Sequence, residues 1–317
     1  MDELPSEFNP PRGYIVTANE NNIPTAHPAS KIGVGYEWND PARRQRLDTL
    51  FDSTGRFSVE DSQRFQTDTV STHATRMVKL LQSIRPESAD GDQTLAQGLQ
   101  LLRGWDGNEN PESAAAALFE VWFNKYLRGA VLKQSLGDAG AKLAEPGDGA
   151  QVIAVLERPD SWMTPEQRDA VIVSSLKRAI DEVSVKLGKD MRAWRWGGLH
   201  VAVFEHPLQT VVDPAVRDKL TVGRWPLGGS GFTPMATHYG NDYVLTAGAS
   251  FRMVLDVGNW DDSRVVNAPG QSGNPDSAHY RDLAPLWASG QYFPLLYTRA
   301  AVEGATESRL VLSPPKN

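Results

Sequence analysis

Ser174 and Lys177 stand at the Ser-x-x-Lys spacing, which sets a hydroxyl and an amine one helical turn apart and lets the amine serve as base for a serine nucleophile. The plainer reading is two polar positions on an amphipathic helix from Pro165 to Leu187. The Ser-Asp-Asn and Lys-Thr-Gly companions of such a nucleophile are absent from the chain. Gly228-Gly229-Ser230-Gly231 approaches a nucleophile elbow, but that turn needs Gly-x-Ser-x-Gly and residue 232 is Phe, so a flexible glycine-rich loop is expected. His27, His73, His200, His206, His238 and His279 include no His-x-x-x-His pair that would place two imidazoles on one helical face for zinc, and packing or surface roles are expected. Asp256, Asp261 and Asp262 lack the alternate spacing of a calcium loop and read as solvated turn carboxylates. Trp194 and Trp196 offer flat faces for stacking a sugar or a base, although such tryptophans are more often core.

The elements that must position these residues are bounded by composition. The chain has 317 residues, 32 Lys+Arg against 39 Asp+Glu, and no Cys, which sets one large or two ordinary domains and excludes a disulfide scaffold or a Cys-ligated metal centre. A net charge of −7 argues against a nucleic-acid partner; the one dense basic cluster is Arg43, Arg44 and Arg46. The apolar stretches Ala114 to Leu118 and Leu199 to Phe204 fall far short of the roughly 20 residues that span a bilayer, so no membrane span is expected. Residues Met1 to Glu7 have neither the basic nor the apolar region of a secretory signal. That implies a cytoplasmic chain or one that does not open at its true amino terminus.

Tyr14 to Thr17 is β-branched and aromatic and reads as a strand that stops at Ala18-Asn19-Glu20-Asn21-Asn22. A short apolar patch follows at Ile32 to Tyr36. Asn39-Asp40-Pro41 then supplies a cap and a first-turn proline for a helix that carries the three arginines near its start. From the capping pattern Ser58-Val59-Glu60-Asp61 to Leu187 the periodicity is helical, with Val70, Met77, Leu80 and Leu81 on one face and Leu118, Val121, Trp122 and Tyr126 on another. Loops are expected at Gly104 to Asn108 and at Glu145 to Gly149, and Gly188 is placed to end the last helix. Phe251 to Val257 and Arg264 to Val266 alternate like strands, with brief helical signal near Ser277 to Ala288. Strand, helices, then strands allows the carboxy-terminal strands to pair with the amino-terminal one across a helical insertion.

Asn9-Pro10-Pro11-Arg12-Gly13-Tyr14-Ile15-Val16-Thr17-Ala18-Asn19 resembles the β-subunit signature of the penicillin acylase family, amidohydrolases with an amino-terminal nucleophile. In matching order follow Gly35-Tyr36-Glu37-Trp38 with the arginine helix, Gly104-Trp105-Asp106-Gly107, Ser113 to Phe119, Trp196-Gly197-Gly198-Leu199-His200, and Ala268-Pro269-Gly270-Gln271-Ser272-Gly273 with His279-Tyr280. The resemblance runs from Leu4 to about Tyr297. It implies an α+β chain that is part of a four-layered αββα N-terminal-nucleophile hydrolase fold. Residues 1–57 would hold the oxyanion strand and arginine helix, 58–190 a helical section, and 191–317 a Gly/Trp-rich segment and returning core strands.

The family's nucleophile is the serine that opens the β chain, whose own α-amine acts as base near neutral pH. The resemblance gives Asn19 the role of oxyanion donor through its side-chain amide. Arg43, or else Arg44 or Arg46, would order the nucleophile's amine and disfavour its protonation. No cofactor is implied. Family members can hold a structural calcium through an aspartate in the loop after the asparagine, but Lys31 stands nearest that position and no metal is expected. The serine is also missing, because the β chain opens well over a hundred residues before the asparagine strand.

The chain is therefore expected to be inert alone. Its partners would be the α chain and the first half of the β chain, and its substrate a small acylated amine. A periplasmic or secreted origin is implied by the resemblance alone. The competing expectations are a non-catalytic binding remnant and, more remotely, a self-contained Ser174–Lys177 hydrolase.

Overall fold

The computed structural model describes residues 4–31, 33–35, 37–53, 55–84 and 91–315. Ile32 and Tyr36, which bound the short apolar patch, lie outside them. In chain order the helices are α1 (Ala42–Asp52), α2 (Val59–Gln66), α3 (Thr72–Leu81), α4 (Gln93–Arg103), α5 (Ala114–Glu120), α6 (Arg128–Ala144), α7 (Gly149–Glu157), α8 (Pro165–Leu187), α9 (Trp196–Leu199), α10 (Pro214–Leu220), α11 (Ala284–Ala288) and α12 (Arg299–Gly304). A π-helix, Val121–Leu127, joins α5 to α6. The strands are β1 (Val201–Phe204), β2 (Val222–Pro226), β3 (His238–Tyr239), β4 (Leu245–Ala247), β5 (Arg252–Val254), β6 (Arg264–Val266) and β7 (Phe293–Pro294). No helix among the described residues is long and apolar enough to cross a membrane.

The chain divides into two compact units, residues 1–55 with 67–249 and residues 56–66 with 250–317. The first is built on α8, which packs against the π-helix, α4, α5 and α6. This helix forms where the sequence marks it. Thr164 and Gln167 make a reciprocal capping box, Pro165 takes the first turn, and Gly188, at φ 92°, ends the helix with its N–H on the Ser184 carbonyl. Its buried face, Ile172, Leu176, Ala179, Ile180 and Val183, meets Leu99, Leu118 and Trp122 in one apolar cluster. Each fully buried aliphatic side chain stabilises by about 1.5–3 kcal/mol, so Leu176→Ala would cost about 2–5 kcal/mol. Trp122 Nε1 donates to Ser175 Oγ at 2.9 Å, which satisfies the one polar group of that ring. Trp194 and Trp196 are fully buried, as the core reading requires, with their Nε1 groups on the carbonyls of Gly188 and Gly229.

In the second unit α2 opens with the expected reciprocal cap: Ser58 N donates to Asp61 Oδ2 and Asp61 N to Ser58 Oγ. β5 and β6 pair antiparallel, Arg252 opposite Val266, and β6 pairs with β7. Gln66 Nε2 donates to the Met253 carbonyl and Gln66 Oε1 accepts from Tyr292 OH, tying the end of α2 to the strands. Asp256 accepts main-chain N–H groups of its own turn, the role its spacing suggested, whereas Asp261 accepts from Tyr297 N and Thr298 N just before α12.

One expectation of the fold fails. The chain is α+β, but among the described residues strands lie only after residue 200, and Tyr14 to Thr17 joins no ladder. Burial there alternates as in a strand, with Val16, Ala18 and Glu20 buried and their neighbours exposed. Side chains take the main-chain groups instead: Arg44 Nη1 donates to the Val16 carbonyl at 2.5 Å, and Ala18 N donates to Glu20 Oε2 at 2.7 Å. Periodicity reports which face is buried, whereas a strand also needs a neighbour to pair with.

Candidate active site

Asn19 ends the extended segment at φ 69°, a left-handed conformation that asparagine tolerates better than most residues. Its carbonyl accepts from Asn39 N, and its side-chain Oδ1 accepts from Arg43 Nη2 at 2.9 Å. Thus the two residues singled out in the sequence meet across 24 positions. With its oxygen held by a guanidinium, the carboxamide is left with Nδ2 as a donor, and among the described residues that nitrogen makes no hydrogen bond.

The three arginines separate by partner. Arg44 bonds Glu20 and Asp48 as well as Val16, and Arg46 is bidentate to Asp68 at 2.8 and 2.7 Å. Arg43 forms no ion pair within 4 Å among the described residues. Burial lowers its pKa, yet a guanidinium keeps its charge at any working pH.

The start of α1 is fixed by Asp40, whose Oδ1 caps Ala42 N and lies 3.1 Å from His73 Nε2, while Oδ2 accepts from Ala150 N at the start of α7. Burial would raise the Asp40 pKa. His73 and the two amides outweigh it and hold the carboxyl below its usual range. The expected cap, Asn39-Asp40-Pro41, therefore anchors Arg43 to two further helices. On the other side His238 is kept toward its neutral form, first by burial and then by the charge of Arg43.

The remaining sequence candidates stay apart from this pair. Lys177 Nζ is bound to Asp92 Oδ2 at 2.7 Å, which raises its pKa, and Ser174 Oγ turns back to the Val171 carbonyl. A lysine so paired is a poor base, and the Ser174–Lys177 reading has no support in the geometry. The glycine-rich loop is not the flexible loop expected: residues 227–230 are buried, Gly229 N donates to the Glu109 carbonyl, and Thr237 Oγ1 donates to that of Gly228. Lys31 is exposed, and among the described residues no group of three or more His, Cys, Asp or Glu could hold a metal.

Sequence reasoning missed a second polar cluster. Glu109 and Glu120 are both fully buried, with their carboxyls close enough to act on each other. Glu120 Oε2 accepts from Tyr239 OH at 2.5 Å and from Asn124 Nδ2 at 3.0 Å. Burial pushes both pKa values up, and the mutual repulsion of two carboxylates pushes Glu109 further. One proton shared between them is the stable arrangement. The signal in the sequence was a single acidic residue inside the apolar run Ala114 to Phe123.

The sequence model of the penicillin amidase family matches residues 1–304. The chain belongs to the penicillin amidase family. Among curated relatives, an acyl-homoserine lactone acylase QuiP from Pseudomonas putida is 30% identical over 92% of this chain and 38% of its own length. The penicillin acylase 2 proenzyme of Pseudomonas sp. (strain SE83) is 29% identical over 98% of this chain and 40% of its own. This member of the penicillin amidase family thus spans about two fifths of the length of those relatives. A solved thermostable penicillin G acylase from Alcaligenes faecalis superposes with a TM-score of 0.56 at 18% identity, covering 98% of this chain and 58% of that one; the likeness is one of fold. The penicillin amidase match includes the Asn19–Arg43 pair, both glutamates and most of the second unit.

Proposed function

We propose that this chain is the carboxy-terminal portion of the β chain of an acylase that hydrolyses linear amides between an acyl group and a small amine. Asn19 supplies an oxyanion donor and Arg43 positions it. The carrying observation is the 2.9 Å contact between Arg43 Nη2 and Asn19 Oδ1, which directs the amide N–H₂ away from the guanidinium. A fixed donor matters because charge develops on the carbonyl oxygen only in the transition state, where a preorganised N–H contributes about 10²–10³ in rate. The attacking serine, its α-amine base and the rest of an αββα core would come from a preceding segment. The span of two fifths of the relatives' length supports that reading. Relatives named for acyl-homoserine lactones and for penicillin support a substrate among acylated small amines.

The test is hydrolysis of a panel of chromogenic acyl-anilides by the chain alone and after co-expression with a candidate upstream segment. Activity is expected only on complementation, and Asn19→Ala in the complemented enzyme should lower kcat about 10²–10³-fold with little change in KM. Activity of the isolated chain would place the nucleophile within these 317 residues and overturn the proposal. A soluble assembled complex without activity would favour a non-catalytic binding role instead.

A further inference from the structure

Beside the glutamate pair lies a cavity of about 370 Å³, within the ~300–1,000 Å³ typical of small-molecule sites. Two backbone features mark its walls. The π-helix carries Asn124 and Lys125 into the lining, a distortion found mostly at functional sites, and Tyr243 holds a strained φ of 67°.

Among the described residues, one cation in the cavity has no carboxylate as a direct hydrogen-bond partner. Lys125 is matched by Glu182 at 2.7 Å, and Tyr243 OH donates to that same carboxylate. His238 is held toward neutral. Glu120 accepts from Tyr239 and Asn124, and its carboxyl meets Arg128 only by way of the Asn124 amide. That leaves Arg128. Its Nη1 donates to Asn124 Oδ1 at 3.1 Å and its Nη2 to the Gly147 carbonyl, both uncharged acceptors. Among the described residues no carboxylate lies within 4 Å of it, and its Nε is buried without a partner. A largely desolvated cation with only neutral partners is costly unless an anion joins it. The guanidinium sits 5.8 Å from the ring centroid of Phe232, and Tyr239 and Tyr243 also line the cavity.

We propose that this cavity binds a small organic carboxylate, its charge on Arg128 and its apolar body against Phe232, Tyr239 and Tyr243. A planar guanidinium suits a carboxylate, and the aromatic walls exclude a bare inorganic anion as the best-fitting ligand. The binding does not depend on amide hydrolysis. Two sources share the chemistry: a free acid released from an acyl group, and an amine component that carries its own carboxylate.

Isothermal titration of the 317-residue chain at pH 7 with benzoate, and with benzamide as its uncharged counterpart, tests the proposal. Saturable benzoate binding is expected with Kd at millimolar or below, and benzamide at least about tenfold weaker. Arg128→Gln should weaken benzoate by about tenfold or more, and Arg128→Lys by less, with circular dichroism confirming that each variant is folded. Hexanoate and 3-aminobenzoate then separate the sources, tighter hexanoate supporting the released acid and tighter 3-aminobenzoate the amine-borne carboxylate. Benzamide binding as tightly as benzoate, no heat at about 10 mM benzoate, or an unchanged Kd in folded Arg128→Gln would each overturn it.

Discussion

Arg43, Arg44 and Arg46 share one chemistry and little more than one turn of helix, yet only Arg43 reaches Asn19, because the others are taken by Glu20, Asp48 and Asp68. Resemblance pointed to the asparagine and left the arginine open among three; Asp48 stands at the i,i+4 spacing from Arg44, but Glu20 and Asp68 lie 24 and 22 positions from the arginines they take, where no spacing rule connects them. The glutamate pair was hidden for the same reason, since Tyr239 lies 119 positions from Glu120. A prediction at this scale follows from the pair's shared proton. Burial pushes the Glu120 carboxyl up to about 7 from an ordinary 4.5, so the folded state holds more protons than the unfolded one across that window. Its contribution to stability is then complete below about pH 4.5 and lost as pH rises through about 7. The groups facing it are Glu109, Arg128, Tyr239 and Asn124. His200 acts in the opposite sense, its pKa pushed down to about 4 by burial, so its contribution is lost on acidification. Comparing wild type with Glu120→Gln cancels the histidine. Urea unfolding at pH 5.5 and 8 should show wild type losing on the order of 2 kcal/mol more than Glu120→Gln; equal losses would mean the pair does not share a proton.

At the scale of elements, local chemistry was legible wherever the chain satisfies itself nearby. Ser58 with Asp61, Thr164 with Gln167 and Gly188 mark helix ends that form as read, because capping is decided within four residues. The amino-terminal strand was not, because pairing is a long-range property. The stretch Ala268 to Gly273 shows how an irregular segment can still carry a distinctive sequence. The His279 carbonyl accepts from both Gln271 N and Ser272 N, and a Cβ built on Gly270 would lie 2.3 Å from that oxygen and 2.7 Å from the Tyr280 carbonyl carbon. Only glycine allows the two backbones to approach so closely. Gly270→Ala should therefore destabilise the second unit by about 1–3 kcal/mol, while Gly273→Ala, where nothing lies within 4 Å, should cost less than about 0.5 kcal/mol. Urea midpoints of the two variants compare them directly, and equal midpoints would remove the close approach as the reason for glycine.

For the molecule as a whole, the two units differ in how much of their structure rests on burial. In the first, the continuous cluster from Ala74 to Tyr243 includes Leu118, Phe119, Trp122 and Phe123 on consecutive turns, all at 1% exposure or less. In the second, the strands are two or three residues long, and Met253 on β5, with Phe251, Leu255 and Val257 beside it, is exposed. Its buried apolar side chains are few and small apart from Phe65, Tyr280 and Trp287. Local opening costs least where few apolar contacts must be broken and backbone bonds face water. Hydrogen exchange followed by mass spectrometry should find peptides from α5, the π-helix and α8 protected about a hundredfold or more beyond peptides from β5 to β7, a difference of roughly 3 kcal/mol in opening free energy. The ordering should persist in Gly270→Ala and widen, since that substitution weakens the second unit alone. Equal protection in the two units would show instead that they open as one cooperative body, and the division by packing would then have no counterpart in stability.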